Sequence, residues 1–181
     1  MGAWSSPSGA LTLSAGCRYR ETRPGSTTVS GSWTIAAHPQ GTKTVGKLVL
    51  RCDHCSEETA DIYTAVLEEP SLMLTDLCGS ETVAAGSAWK SGTKVYTDDS
   101  GSPSASVRRV WHELVLSSET QAKDIHHSLI VNAGIEAGRS ESGTWAPSED
   151  GFTFHGDRRQ RSYSLFEACV FPDDGRYTRS E

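Results

Sequence analysis

The stretch TTVSGSWTIAAHPQGTKTVGKLVLRC constrains this chain more than any other. In its first arm Val29, Gly31, Trp33, Ile35 and Ala37 alternate with Thr28, Ser30, Ser32, Thr34 and Ala36. A period of two puts one set on each face of a strand, one face apolar and the other rich in hydroxyls. HPQGT then supplies proline and glycine for a turn. In the second arm Leu48, Leu50 and Cys52 face one way, while Lys43, Lys47 and Arg51 share the other with Val45 and Val49. The pattern predicts a hairpin over residues 28–52, and with it an antiparallel sheet covered on one side.

Around that hairpin the signals vary in strength. ALTLSAG and CRYRETR read as two arms of an earlier hairpin. SEETADIYTAVLEEP fits either a short helix, by the spacing of Ile62, Tyr63, Val66 and Leu67, or a strand, by the alternation of Ile62, Thr64 and Val66. One or two strands are expected between residues 81 and 97, then an acidic, breaker-rich loop at 98–106. SVRRVWHELVLS alternates like a strand. Ser118 and Gln121 then have capping-box spacing, which predicts a helix from Glu119 with Ala122, Ile125, Leu129 and Ala133 as its apolar stripe. Residues 139–157 are polar and rich in Gly and Ser, hence a linker, and RSYSLFEACVF is a strand or a docking arm.

Composition sets outer limits. A chain of 181 residues has room for one domain with a real core, and its 36% apolar content with abundant Ser, Thr and Gly suits short strands and turns. No apolar run approaches the roughly 20 residues of a membrane helix. Neither a basic region nor an apolar stretch opens the chain, so a soluble protein that does not use the usual export route is expected. MGAWSS matches the loose myristoylation pattern, but a Ser-rich leader is the plainer reading. Five scattered cysteines, an odd number, read as free thiols in a reducing compartment. The net charge of −6 is uneven: residues 1–56 hold six cations against two anions, residues 57–104 two against nine. That balance argues against a general nucleic-acid binder while allowing a local basic surface in the first third.

Catalytic signatures are lacking. His112-Glu113 is not the opening of a zinc-protease helix, since Leu116 stands four residues on. His126 and His127 are neighbours, and on a helix they would point about 100° apart, unable to share an ion. No P-loop, nucleophile elbow or dinucleotide fingerprint is present. The sequence therefore predicts no enzyme, no cofactor and no metal. The alternative metal set is Cys52, His54 and Cys55, a single knuckle without the second pair that a zinc module needs.

The order of elements resembles the coat proteins of single-stranded RNA bacteriophages, the leviviruses. LTLSAG looks like the family's opening strand, SGSWTIAAHPQGTKTVGKLVLRCD like its central strand–turn–strand, and VRRVWHELVLSSETQAKDIHHSLIV like its last strand passing into a helix. The resemblance implies an α+β fold: an antiparallel meander with an N-terminal hairpin, followed by a C-terminal helix packed on a partner subunit's sheet. It divides the chain into a flexible leader (1–9), a coat-like domain (10–138) and a C-terminal extension or arm (139–181). It further implies a homodimer that assembles an icosahedral shell in the host cytoplasm, to be found in the virion, away from membranes. Single-stranded RNA would bind the inner sheet face through Ser30, Ser32, Thr34, Lys43, Lys47, Arg51 and Arg109, with Glu113 and Trp111 near them. Ala122, Ile125, Leu129 and Ala133 would form the dimer contact. A different class is also open: GSWT resembles the Gly-x-Trp of lipocalin-like and avidin-like barrels, in which Trp33, Trp89 and Trp111 would line a ligand pocket.

Overall fold

In the computed structural model the chain is almost entirely β, with seventeen strands among the described residues and no helix beyond two three-residue 3-10 turns. The structure describes residues 1–7, 9–23, 25, 28–54, 60–97 and 106–180. The expected α+β fold is thus corrected to all-β. The chain also forms two compact units where one was expected: Met1–Cys55, Ala60–Thr75 and Asp174–Glu181 make the first, Ser56–Thr59 and Asp76–Asp173 the second.

The first unit is an eight-stranded closed barrel. Strands β1 (Gly2–Ser6), β2 (Gly9–Ser14), β3 (Arg18–Thr22), β4 (Val29–Gln40), β5 (Lys43–Cys52), β6 (Asp61–Glu68) and β7 (Ser71–Thr75) follow one another as an antiparallel meander. The expected leader is therefore largely strand. The predicted hairpins at 10–23 and 28–52 are both present, and the ambiguous segment is a strand over Asp61–Glu68. At this strand number the interior is just wide enough for side chains to fill. Trp4, Leu11, Leu13, Tyr19, Leu48, Leu50, Ala65 and Leu72 fill it. Period-two alternation explains the choice: Leu48 and Leu50 turn inward, Lys47 and Arg51 outward.

The second unit contains β8 (Cys78–Gly79), β9 (Ala88–Lys90), β10 (Lys94–Thr97), β11 (Val107–Leu116), β12 (Gln121–Ile130), β13 (Ile135–Pro147), β14 (Gly151–Gly156), β15 (Gln160–Phe166) and β16 (Cys169–Pro172). Its sheet also closes on itself, because β11 pairs with β9 over Glu113–Val115 as well as with β10 over Val107–Val110. A ring stack of Trp89, Phe152 and Tyr163, with centroids 5.3 and 5.2 Å apart, plugs the interior and Trp145 meets Phe152 edge-on. The weakest seam, β8 against β16, pairs only Cys78 with Cys169, and these form a disulfide. The last strand, β17 (Tyr177–Arg179), returns to the first unit and closes it between β1 and β7.

The helix predicted from Glu119 is strand β12. Gln121 N–H does donate to Ser118 Oγ, at 3.1 Å, as a capping box would have it. The same residues instead shape a hairpin turn, with Ser117 N–H and Ser118 N–H both donating to Gln121 O. The apolar stripe accordingly splits: Ala122 is buried, Ile125 stands at odd spacing on the opposite face with Leu129, and Ala133 lies in a 3-10 turn. The linker expected at 139–157 holds most of β13 and all of β14, so the boundary at 138 falls inside a strand. Cysteines differ too. Cys78, Cys169 and Cys52 are disulfide-bonded, and Cys17 is free and exposed. The loop at 98–106 lies almost wholly outside the described residues, as does Cys55.

Candidate functional site

One end of the first barrel keeps a cavity of about 210 Å³. Leu11, Leu50, Leu74, Tyr63 and Tyr177 line it, and Glu21 with Arg23 stand at its rim. Glu21 points inward because it lies opposite Leu11 across the β2–β3 ladder. Arg23 Nε donates to Glu21 Oε1 at 2.8 Å, and this bond, reinforced by the charges of Glu21 and Asp61, raises the guanidinium's pKa above its ordinary value. Burial likewise pushes the Tyr177 hydroxyl above the usual tyrosine range. The cavity is therefore apolar walls with a charged lip, two carboxylates acting on one guanidinium.

A second, polar site sits in the wall of the other barrel. Inward positions on β11 and β12 run Leu116–Ala122, Leu114–Asp124 and His112–His126 as opposed pairs, so the lining changes from apolar to ionisable along the barrel. Ser91, between β9 and β10, fixes the backbone of His112 from both sides: its N–H donates to His112 O at 2.9 Å, and its Oγ accepts His112 N–H at 2.9 Å. Opposed placement stacks the two imidazoles, with centroids 4.1 Å apart and planes within 9°. His112 Nε2 lies 2.7 Å and His126 Nε2 3.4 Å from the same oxygen, Oδ1 of Asp124. Arg159 binds the other oxygen, Oδ2. Arg159 Nε is 3.5 Å from Glu141, which stands opposite Asp124 on β13 and accepts Arg158 N–H at 2.8 Å. Gly156 leaves room for that carboxylate, because a Cβ there would collide with it.

Asp124 is fully buried. Burial alone would raise its pKa, but the His112 hydrogen bond, with the charges of His112, Arg159 and His126, outweighs this and holds the carboxyl below its ordinary value. For His126, burial and then the neighbouring His112 charge lower the pKa. A cleft of about 170 Å³ opens beside them, lined by Asp124, His126, Arg139, Glu141, Arg158 and Arg159.

The predicted RNA-contact residues separate into two groups. Ser30, Ser32, Thr34, Lys43, Lys47 and Arg51 share the outer face of β4–β5, with Ser32 opposite Arg51. Strand β3 widens this face, placing Arg20 opposite Ser30 and Arg18 opposite Ser32. Lys43 is 3.5 Å from Glu68, and Arg18 pairs with Asp53. Arg109 is on β11 of the other unit, outside that sheet. The three tryptophans do not share a pocket: Trp33 donates to Ser14 O, Trp89 is buried in the second barrel, and Trp111 stacks on His127 on that barrel's outer face. His127 is also 3.4 Å from Glu113. Of the alternative metal set, Cys52 is committed to a disulfide and His54 is exposed. The residues missed by sequence reasoning are Asp124, Glu141 and Arg159, which no motif or spacing in the sequence joins. Compared with protein-family models, curated protein sequences and solved structures, the chain finds no match in any of the three.

Proposed function

We propose that the protein is a non-enzymatic ligand-binding β-barrel whose first barrel takes a small apolar amine. The cavity behind the Glu21–Arg23 lip carries this reading. A void of about 150 Å³ already accepts benzene, so 210 Å³ suits one aromatic ring with a short side arm. The walls offer leucine and tyrosine surface, and the Glu21 carboxylate at the lip, with the charge of Asp61 also felt at Arg23, favours a cationic head over an anionic one. Isothermal titration with phenethylamine and phenylacetate tests the assignment. Saturable binding of the amine, weakened by Glu21→Gln and by filling the cavity with Leu74→Trp, is the expected result. Failure of both probes to bind would remove it.

The outer face of β3–β5 supports a second reading, single-stranded RNA binding, independent of shell assembly. Arg20, Lys47 and Arg51 flank a row of serines and threonines, which suits phosphate contacts. The shell reading drew on a helix crossing to a partner, and that segment is β12. Lys47→Ala with Arg51→Ala should shallow the salt dependence of RNA binding by about 1.4 in the log–log slope, the share of two phosphate contacts. An unchanged slope would exclude this face.

A further inference from the structure

The polar site of the second barrel has a use that the ligand-binding reading does not supply. We propose that His112, Asp124 and His126 bind one divalent transition-metal ion through His112 Nε2, His126 Nε2 and Asp124 Oδ1. These three donor atoms lie within 4.8 Å of one another and come from adjacent strands of a closed barrel, which hold their spacing. A tetrahedral ion with bonds of about 2.0–2.1 Å needs donors about 3.3 Å apart. The two distances to Asp124 Oδ1, 2.7 and 3.4 Å, bracket that value, and the two imidazoles, stacked with planes 9° apart, must rotate out of the stack to aim both Nε2 lone pairs at one ion.

The surroundings fit the same role. Arg159 occupies Oδ2 of Asp124, which leaves Oδ1 as the donor and makes the carboxylate monodentate. That guanidinium is tied in turn to Glu141, a supporting layer of the sort that orients metal ligands. One side of the cluster opens to the cleft through half-exposed His126, giving the ion a route in and leaving further coordination positions for water. Two imidazoles and one carboxylate suit zinc, cobalt, nickel or copper(II) better than magnesium or calcium, which prefer all-oxygen shells.

Two features separate this set from the cysteine-based zinc reading. It contains no thiolate, and its carboxylate is fully buried. Binding would therefore survive oxidation of the cysteines, and a cobalt(II) complex would lack sulfur charge-transfer absorption.

The test uses the full chain, stripped with chelator and kept oxidised. Titration with Zn²⁺ by calorimetry and with Co²⁺ by visible absorption should each saturate near one equivalent, without a thiolate band. His126→Gln, at a half-exposed position where folding is least at risk, should weaken binding by at least the roughly 10–100-fold that even supporting residues contribute. His112→Gln should do the same, and circular dichroism of both variants reports whether the fold is kept. His155→Gln, on the outer face of β14, should bind like the parent. Absence of saturable Zn²⁺ and Co²⁺ binding, or binding that His126→Gln leaves intact, would overturn the assignment.

Discussion

Arg159 and His112 divide the carboxylate of Asp124 between them, the guanidinium on Oδ2 and the imidazole on Oδ1. The carboxylate is fully buried while the arginine side chain is 37% exposed. The pair is therefore asymmetric, and losing the arginine leaves Oδ2 of a buried carboxylate without its partner. Arg159→Met should destabilise the protein by about 2–3 kcal/mol, below the roughly 3–5 kcal/mol of a fully buried pair because solvent already screens the arginine. Urea unfolding of the chelator-treated protein measures it; a midpoint within error of the parent would contradict the role given to Arg159.

Gly156 guards the neighbouring carboxylate. Alanine there should drive Glu141 off the Arg158 amide and press on the Phe154 ring, at a cost of about 1–3 kcal/mol. In a nitrogen–proton correlation spectrum the Arg158 amide should shift markedly, while amides of the first barrel stay in place.

The Cys78–Cys169 bridge spans 91 residues of sequence across the barrel's weakest seam. Replacing both cysteines with serine should cost about 2–4 kcal/mol. Peptide mapping without reductant should recover the 78–169 pair, and reductant should lower the parent's melting temperature toward that of the double variant.

Alkaline stability follows from Tyr163 and Tyr177. Burial raises both hydroxyls above the free tyrosine value, so each contributes stability that is complete below about pH 10. That contribution disappears as pH climbs through the folded values. Ultraviolet titration should show these two ionising late and together with unfolding. Ionisation of every tyrosine at the ordinary value in a folded protein would disprove the burial assigned here.

How far the sequence carries depends on what each strand faces. Hairpins β2–β3 and β4–β5 are legible because their inward positions are apolar and their outward ones polar. Strand β12 is not, since its inward row is Ala122, Asp124, His126 and Ser128, polar where a barrel lining is usually apolar. The features that make the site are those that erase the strand's alternation, leaving a chance helical spacing of Ala122, Ile125 and Leu129 as the stronger pattern. Strand β13 was hidden for the opposite reason: most of its residues are exposed on both faces, and its Gly and Ser content reads as linker. The metal-like cluster was invisible because its ligands meet only through the pairing of His112 with His126.

Strand β17 carries a consequence for how the molecule is made. It is three residues long, and it is the piece that joins β1 to β7. A ribosome delivers it after every strand of the second barrel, so the first barrel waits with two bare edges while another domain is synthesised. The interval is a window for edge-to-edge association, and the chain's susceptibility to aggregation should depend on translation speed between residues 76 and 179 more than on the stability of the finished fold.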